Sequence, residues 1–147
     1  MATITQVVGT RTGLTISGFN GLASGSYATS NAYDCTATDP LDVILEVNVL
    51  PGTTSGNLQV LIFAIASLDG TNYQTGINSN NEQVMNFVGA VPVFSNATAQ
   101  MKTFSIAAAF GGVLPAYFKI VCKNDSGATL DASGNTLFTA TVVGNVV

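Results

Sequence analysis

Eight carboxylates, two thiols and no histidine set the limits of the chemistry this chain can perform. Catalysis near neutral pH usually needs a group titrating there, most often histidine. A Ser-His-Asp triad and a Cys-His pair are therefore excluded. Cys35 and Cys122 are too few to complete a tetrahedral zinc site. No Gly-x-x-x-x-Gly-Lys-Ser/Thr loop is present for phosphate, and Gly111-Gly112 lacks the glycine spacing of a dinucleotide loop. The catalytic, metal and cofactor sites expected from these residues are thus none.

A glycosidase can work with two carboxylates alone. The candidates are Asp34, Asp39, Asp42, Glu46, Asp69, Glu82, Asp125 and Asp131. Asp69, Asp125 and Asp131 sit in turn sequences, where Asp bonds its own backbone. Asp42 and Glu46 fall on the polar face of one strand, flanked by Asp34 and Asp39, and read as a solvated face. Asp131-Ala132-Ser133-Gly134-Asn135 spaces oxygen side chains at alternate positions, as calcium loops do, but lacks the closing bidentate Glu; it reads as a turn. Tyr27, Tyr33, Tyr73 and Tyr117 could form a sugar-stacking platform, with Tyr73 expected to be the most exposed. Packing in the core or at an interface is the more ordinary role of such rings.

The four basic residues, Arg11, Lys102, Lys119 and Lys123, form no run, and the net charge is −4. Direct nucleic-acid binding needs several cations on phosphates, and a polybasic membrane contact needs a cluster. Neither partner is expected. The longest apolar run, Val60–Ala66, is far below the ~20 residues of a membrane helix. The first residues carry no secretory pattern, which points to synthesis in a cytosol where both cysteines stay reduced. Only 8% of residues are charged while 47% are apolar. So little charge protects a monomer poorly, and much of the surface is expected to meet neighbours in an assembly.

The elements carrying these residues repeat with a period of two. Leu41, Val43, Leu45, Val47 and Val49 alternate with Asp42, Glu46 and Asn48, predicting a half-buried strand. After a loop over Pro51–Gly56, Leu58–Ala66 is apolar on both faces, so that strand is covered on both sides or lies at a subunit contact. Asp69-Gly70 predicts a type I′ hairpin turn, and Asn78–Glu82 a second polar loop. Strands are expected at Val84–Val88, around Val91–Phe94 with Pro92 at an edge, at Tyr117–Lys123 and at Leu137–Val143; in Ala97–Phe110 the residues permit a helix that Ala107-Ala108-Ala109 would extend, but a strand at Met101–Ala107 ending at Gly111-Gly112 is preferred. Alternation in Tyr117–Lys123 turns Phe118, Ile120 and Cys122 inward. Asn124–Gly127 and Asp131–Asn135 are turns. Seven to nine strands with turns about every ten residues predict an all-β antiparallel sandwich, jelly-roll-like. Residues 1–30, rich in Gly, Ser and Thr, form either an extended arm or a plain first strand; residues 31–147 form the sandwich domain.

Three stretches together resemble small bacteriophage head-decoration (cement) proteins. They are Ala66-Ser67-Leu68-Asp69-Gly70-Thr71-Asn72-Tyr73, then Phe110-Gly111-Gly112-Val113-Leu114-Pro115, then Lys123–Leu130 with Gly134-Asn135 after it. The likeness spans about residues 40–143. The resemblance implies a non-enzymatic virion protein on the capsid exterior. It would form a homotrimer and clamp subunits of the major capsid protein. No functional residue is defined sharply enough to carry over. A tail or fibre component on the same fold, and a carbohydrate- or receptor-binding sandwich, remain as alternatives.

Overall fold

The computed structural model describes residues 3–53, 58–76, 82–94 and 97–146. Eleven strands in these residues form two antiparallel sheets packed face to face, so the chain is an all-β sandwich. In one sheet β1 (Ile4–Val8) and β2 (Thr12–Leu14) both pair with β11 (Thr136–Val146), which pairs in turn with β6 (Asp42–Val49), and β6 with β9 (Gln100–Ser105). The other sheet runs β3 (Ile16–Ser17), β4 (Tyr27–Ser30), β10 (Tyr117–Asp125), β7 (Gln59–Ser67), β8 (Asn86–Pro92). The short β5 (Tyr33–Asp34) also lies on β10.

Alternation builds the core. Val43, Leu45, Val47 and Val49 are wholly buried and meet Val60, Ile62 and Ala64 of β7 and Phe118, Ile120 and Cys122 of β10. The two-faced β7 is central. Its second face, Phe63 and Ile65, joins Val121 and Met85 in a separate apolar cluster on the outside of the sheet. Leu61, Tyr27 and Tyr73 shield that cluster. A strand apolar on both faces thus has two covers, as buried central strands require. Cys35 and Cys122 are unpaired and buried.

Residues of the N-terminal segment enter both sheets. Phe19 and Leu22 are core residues, and the Leu130 N–H donates to Leu22 O while the Gly21 N–H donates to Asp131 O. β4 and β5 leave a gap on β10, and there Ser30 Oγ accepts the Ile120 N–H at 2.9 Å in place of a strand carbonyl.

Several expectations need correction. Leu41 is half exposed and precedes β6, lying over Gly144 instead of entering the core. Asp69-Gly70 is not a type I′ turn: Gly70 has φ +75°, but Asp69 is not among the residues with positive φ. Asp69 Oδ1 instead accepts the N–H groups of Thr71 and Asn72, a local bond that competes with hairpin geometry. The chain returns only to a single bridge, Ser67 with Tyr73, and the true partner of β7 starts at Asn86. Val84 lies in a 3-10 turn, Glu82–Val84, and the two strands expected near it are one, β8, ending at Pro92. The strand expected to Ala107 stops at Ser105, where α1 (Ile106–Ala109) begins. Ser105 Oγ accepts the Ala108 N–H and donates to Asp42 Oδ2, while Asp42 Oδ1 accepts the Ala107 N–H. Those bonds cap the turn and outweigh the extended propensity of the preceding residues. The expected loop at Pro51–Gly56 is described only to Thr53, and Asn78–Asn81 lie outside the described residues.

Candidate interaction surfaces

The carboxylates are scattered, and among the described residues all of them except Asp39 hold a partner of their own. Glu46 takes a two-pronged contact from Arg11, with Nε at 2.9 Å and Nη2 at 2.7 Å, and accepts from Asn48 Nδ2. The Arg11 guanidinium lies 3.3 Å above the Phe138 ring. These donors, Arg11 first, pull the Glu46 carboxyl down to about 2. Asp34 Oδ1 accepts from the Thr36 N–H and hydroxyl, and Asp131 Oδ1 accepts the Ser133 N–H. Gln59 Nε2 donates to Asp125, and Glu82 pairs with Lys123 at 3.0 Å. Asp69 accepts four hydrogen bonds beyond its own peptide, and backbone donors, chiefly Asn72, hold it well below the ordinary carboxylate range. Asp42 caps α1, so it and Glu46 serve different partners although they share a strand face. Among the described residues no group of three or more Cys, Asp or Glu converges as a metal site.

The thiols are withdrawn from chemistry. Burial pushes Cys35 up to about 11, with the nearby Asp34 adding to the rise. Complete burial raises Cys122 further. A thiol held protonated in this way is a poor nucleophile.

None of the four tyrosines stands free. Tyr33 stacks on Phe118 at 5.0 Å, and Tyr117 lies against Gly70. Tyr73, expected to be the most exposed, is half-buried in the outer cluster, with Lys119 Nζ 4.3 Å over its ring and its hydroxyl without a partner. A depression of about 450 Å³ opens beside it, lined by Thr29, Ile65, Thr71, Gln74 and Lys119. The cation over the ring occupies a face that a sugar would stack on.

Sequence reasoning did not locate the surfaces that stand out. β1 and the last residues of β11 form a two-stranded ribbon with exposed apolar side chains. Ile4 is 70% and Val146 68% exposed, with Val8, Val7 and Leu41 beside them. No charged residue lies in either strand. Its second neighbour in the register, Thr141, still sits on β6 opposite Val43, so the ribbon overhangs the end of the sandwich. On the opposite sheet Phe87 is exposed and meets Phe63 edge to face at 5.5 Å. The same residue types, Val and Ile, occur in core strands and in this uncovered one, so composition carried no signal that distinguishes them.

No protein-family model matches the chain, and no curated protein matches it. Among solved structures it is similar to a recombinantly expressed latent aurone synthase, a polyphenol oxidase. The identity is 9% and the TM-score 0.35, covering 99% of this chain and 24% of that one. The chain therefore spans about a quarter of that protein's length. A likeness this low carries no argument about fold relationship or activity.

Proposed function

We propose that the protein is a non-enzymatic structural component of a virus particle, a decoration protein on the outside of a bacteriophage head. It would bridge subunits of the major capsid protein and assemble with copies of itself, in the trimeric arrangement that the sequence resemblance implies. The observation that carries the reading is the uncovered apolar surface, of which the charge-free β1–β11 ribbon and the Phe87 patch are the parts built on strands. Uncharged strands bury broad contacts at small desolvation cost, because charges are what is expensive to bury. Exposed apolar patches of this kind usually mark contact surfaces. The scattered carboxylates, all but Asp39 held by separate partners, and the buried thiols support a role without catalysis.

The test is the copy number of the chain in purified particles, by quantitative mass spectrometry against the major capsid protein. The reading expects a ratio near one per capsid subunit and a higher melting temperature of expanded capsids on adding the protein. A few copies per particle would transfer it to the tail or fibres. Its absence from particles, with no effect on capsid melting, would refute a virion role.

A further inference from the structure

Sheet edges are the places where this sandwich could bind another strand, and most of those among the described residues are blunted. At β9 the Gln100 side chain accepts the Phe94 N–H at 2.8 Å and Lys102 Nζ donates to Ala90 O at 3.0 Å, so the side chains tie this strand to the end of the other sheet and Lys102 puts a charge on its edge. β8 carries a register shift opposite Ile62/Phe63 and ends in Pro92, both devices that blunt an edge. β3 and β5 are two residues long, and β2 is three residues beside the charged Arg11. β1 alone combines five residues with no charge, no proline and no register shift.

Its hydrogen-bonding groups have a definite direction. The Gly9 N–H donates to Thr141 O at 2.7 Å, which makes Gly9 and Thr141 a hydrogen-bonded pair. Antiparallel pairs alternate, so in the β1–β11 register Val7–Val143 and Thr5–Asn145 are also bonded pairs. The N–H and C=O groups of Ile4, Gln6 and Val8 therefore face the open edge. A ribbon of two strands is marginal in water without a further strand or a cover.

We propose that β1 pairs antiparallel with β1 of a second copy of this chain, about a two-fold axis through Gln6. In that register Ile4 lies opposite Val8 of the second copy, Thr5 opposite its Val7, and Gln6 opposite itself. Every outward backbone group of Ile4, Gln6 and Val8 then gains a partner. Ile4 meets Val8, Thr5 and Val7 meet as β-branched neighbours, and the two Gln6 amides, each donor and acceptor, satisfy one another. A second copy is favoured over a foreign strand by this self-match. A head-to-tail contact would set β1 against β9, whose edge carries Lys102; the charge-free β1 edge matches itself instead, which favours the isologous contact. The inference rests on the edge itself; a two-fold contact here would join copies of the chain separately from any trimer and leave the Phe87 patch for the capsid and trimer contacts of the virion reading.

Two substitutions test it on the full-length protein. Gln6→Cys places two thiols across the axis, where bonded pairs hold Cα atoms about 5.5 Å apart, within disulfide reach. Mild oxidation should give a covalent dimer. Thr5→Cys alone should not, but mixed with Val7→Cys it should. Gln6→Pro removes an N–H that points to the partner and leaves the β1–β11 bonds intact. It should weaken dimerisation in sedimentation velocity by about tenfold or more while leaving the melting temperature of the monomer unchanged. A wild-type monomer at every concentration with no Gln6→Cys cross-link would overturn the proposal. So would association that Gln6→Pro leaves untouched.

Discussion

Asn124 offers the sharpest test of how this sandwich is held together. It is wholly buried at the end of β10, and its amide makes four hydrogen bonds. Nδ2 donates to Leu22 O at 2.8 Å and Ala128 O at 2.7 Å. Oδ1 accepts the Ser126 N–H at 3.0 Å and the Ser126 hydroxyl at 2.6 Å. Replacing it by leucine keeps the volume and removes the bonds. Leu22 O keeps the Leu130 N–H, and Ala128 O takes the Ser126 hydroxyl proton that Asn124 Oδ1 gives up, but the Ser126 N–H loses its acceptor inside the protein. An orphaned buried donor costs about 1–3 kcal/mol and each lost bond about 0.5–1.5. Asn124→Leu should therefore destabilise by roughly 3–5 kcal/mol after the apolar gain, out of a total near 5–15. Urea titration should show this as a lower midpoint at unchanged slope, and calorimetry as a melting temperature lowered by about 10 °C. Asn124→Asp adds a sign test. Its new carboxylate would face two carbonyl oxygens in a buried site, so its pKa is raised in the folded state. The variant should be least unstable below the unfolded carboxyl value of about 4 and lose stability as the pH rises above it. A change below about 1 kcal/mol for Asn124→Leu would refute the claim that this amide staples the N-terminal segment to the β10–β11 turn.

Three further outcomes follow from the same geometry. Glu46, drawn down to about 2 mainly by Arg11, supports the native state above the ordinary carboxylate range and loses that contribution as pH falls through about 2. Arg11→Ala should bring the Glu46 titration, followed by carbon NMR, back towards the ordinary range, and an unmoved titration would contradict the pairing. A Cβ at Gly89 would sit 2.4 Å from Phe104 Cε1, so Gly89→Ala should cost about 1–3 kcal/mol by overpacking and be relieved in the double variant with Phe104→Leu. Cys35 and Cys122 should resist thiol reagent in the native protein, and both should label after denaturation without reductant; failure of either to label would mean a disulfide.

The legible part of this fold is the part written in a local period. Val43 to Val49 announce their buried face by alternation, and the two-faced β7 announces that it is central, because both signals are complete within nine residues. The turn at Asp131–Asn135 was equally plain as backbone. What it does was not, because Asn135 reaches Asn20 across 115 residues and also accepts the Leu50 N–H, and no local pattern records such partners. The short strands β2, β3 and β5 escaped for a similar reason: two or three residues carry no period, and their pairing is supplied by the long strands β4, β10 and β11 beside them. Asp69 misled in the opposite direction, since its side chain satisfies the turn that its dipeptide would otherwise have built as a hairpin.

The same reasoning explains why chemistry was easier to dismiss than contact was to find. A catalytic constellation must be built from a few residue types, and their scarcity is visible in any order of the letters. A contact surface is built from the residues that also build cores. Ile4, Val7 and Val8 are the same aliphatic types as Val43, Leu45 and Val47, but the second set alternates and faces β7 and β10, while the first does not alternate and has no sheet of the described chain laid over it. Burial in this protein is thus a property of the partner supplied, and the ribbon's composition becomes ordinary once a partner strand is counted as part of the fold.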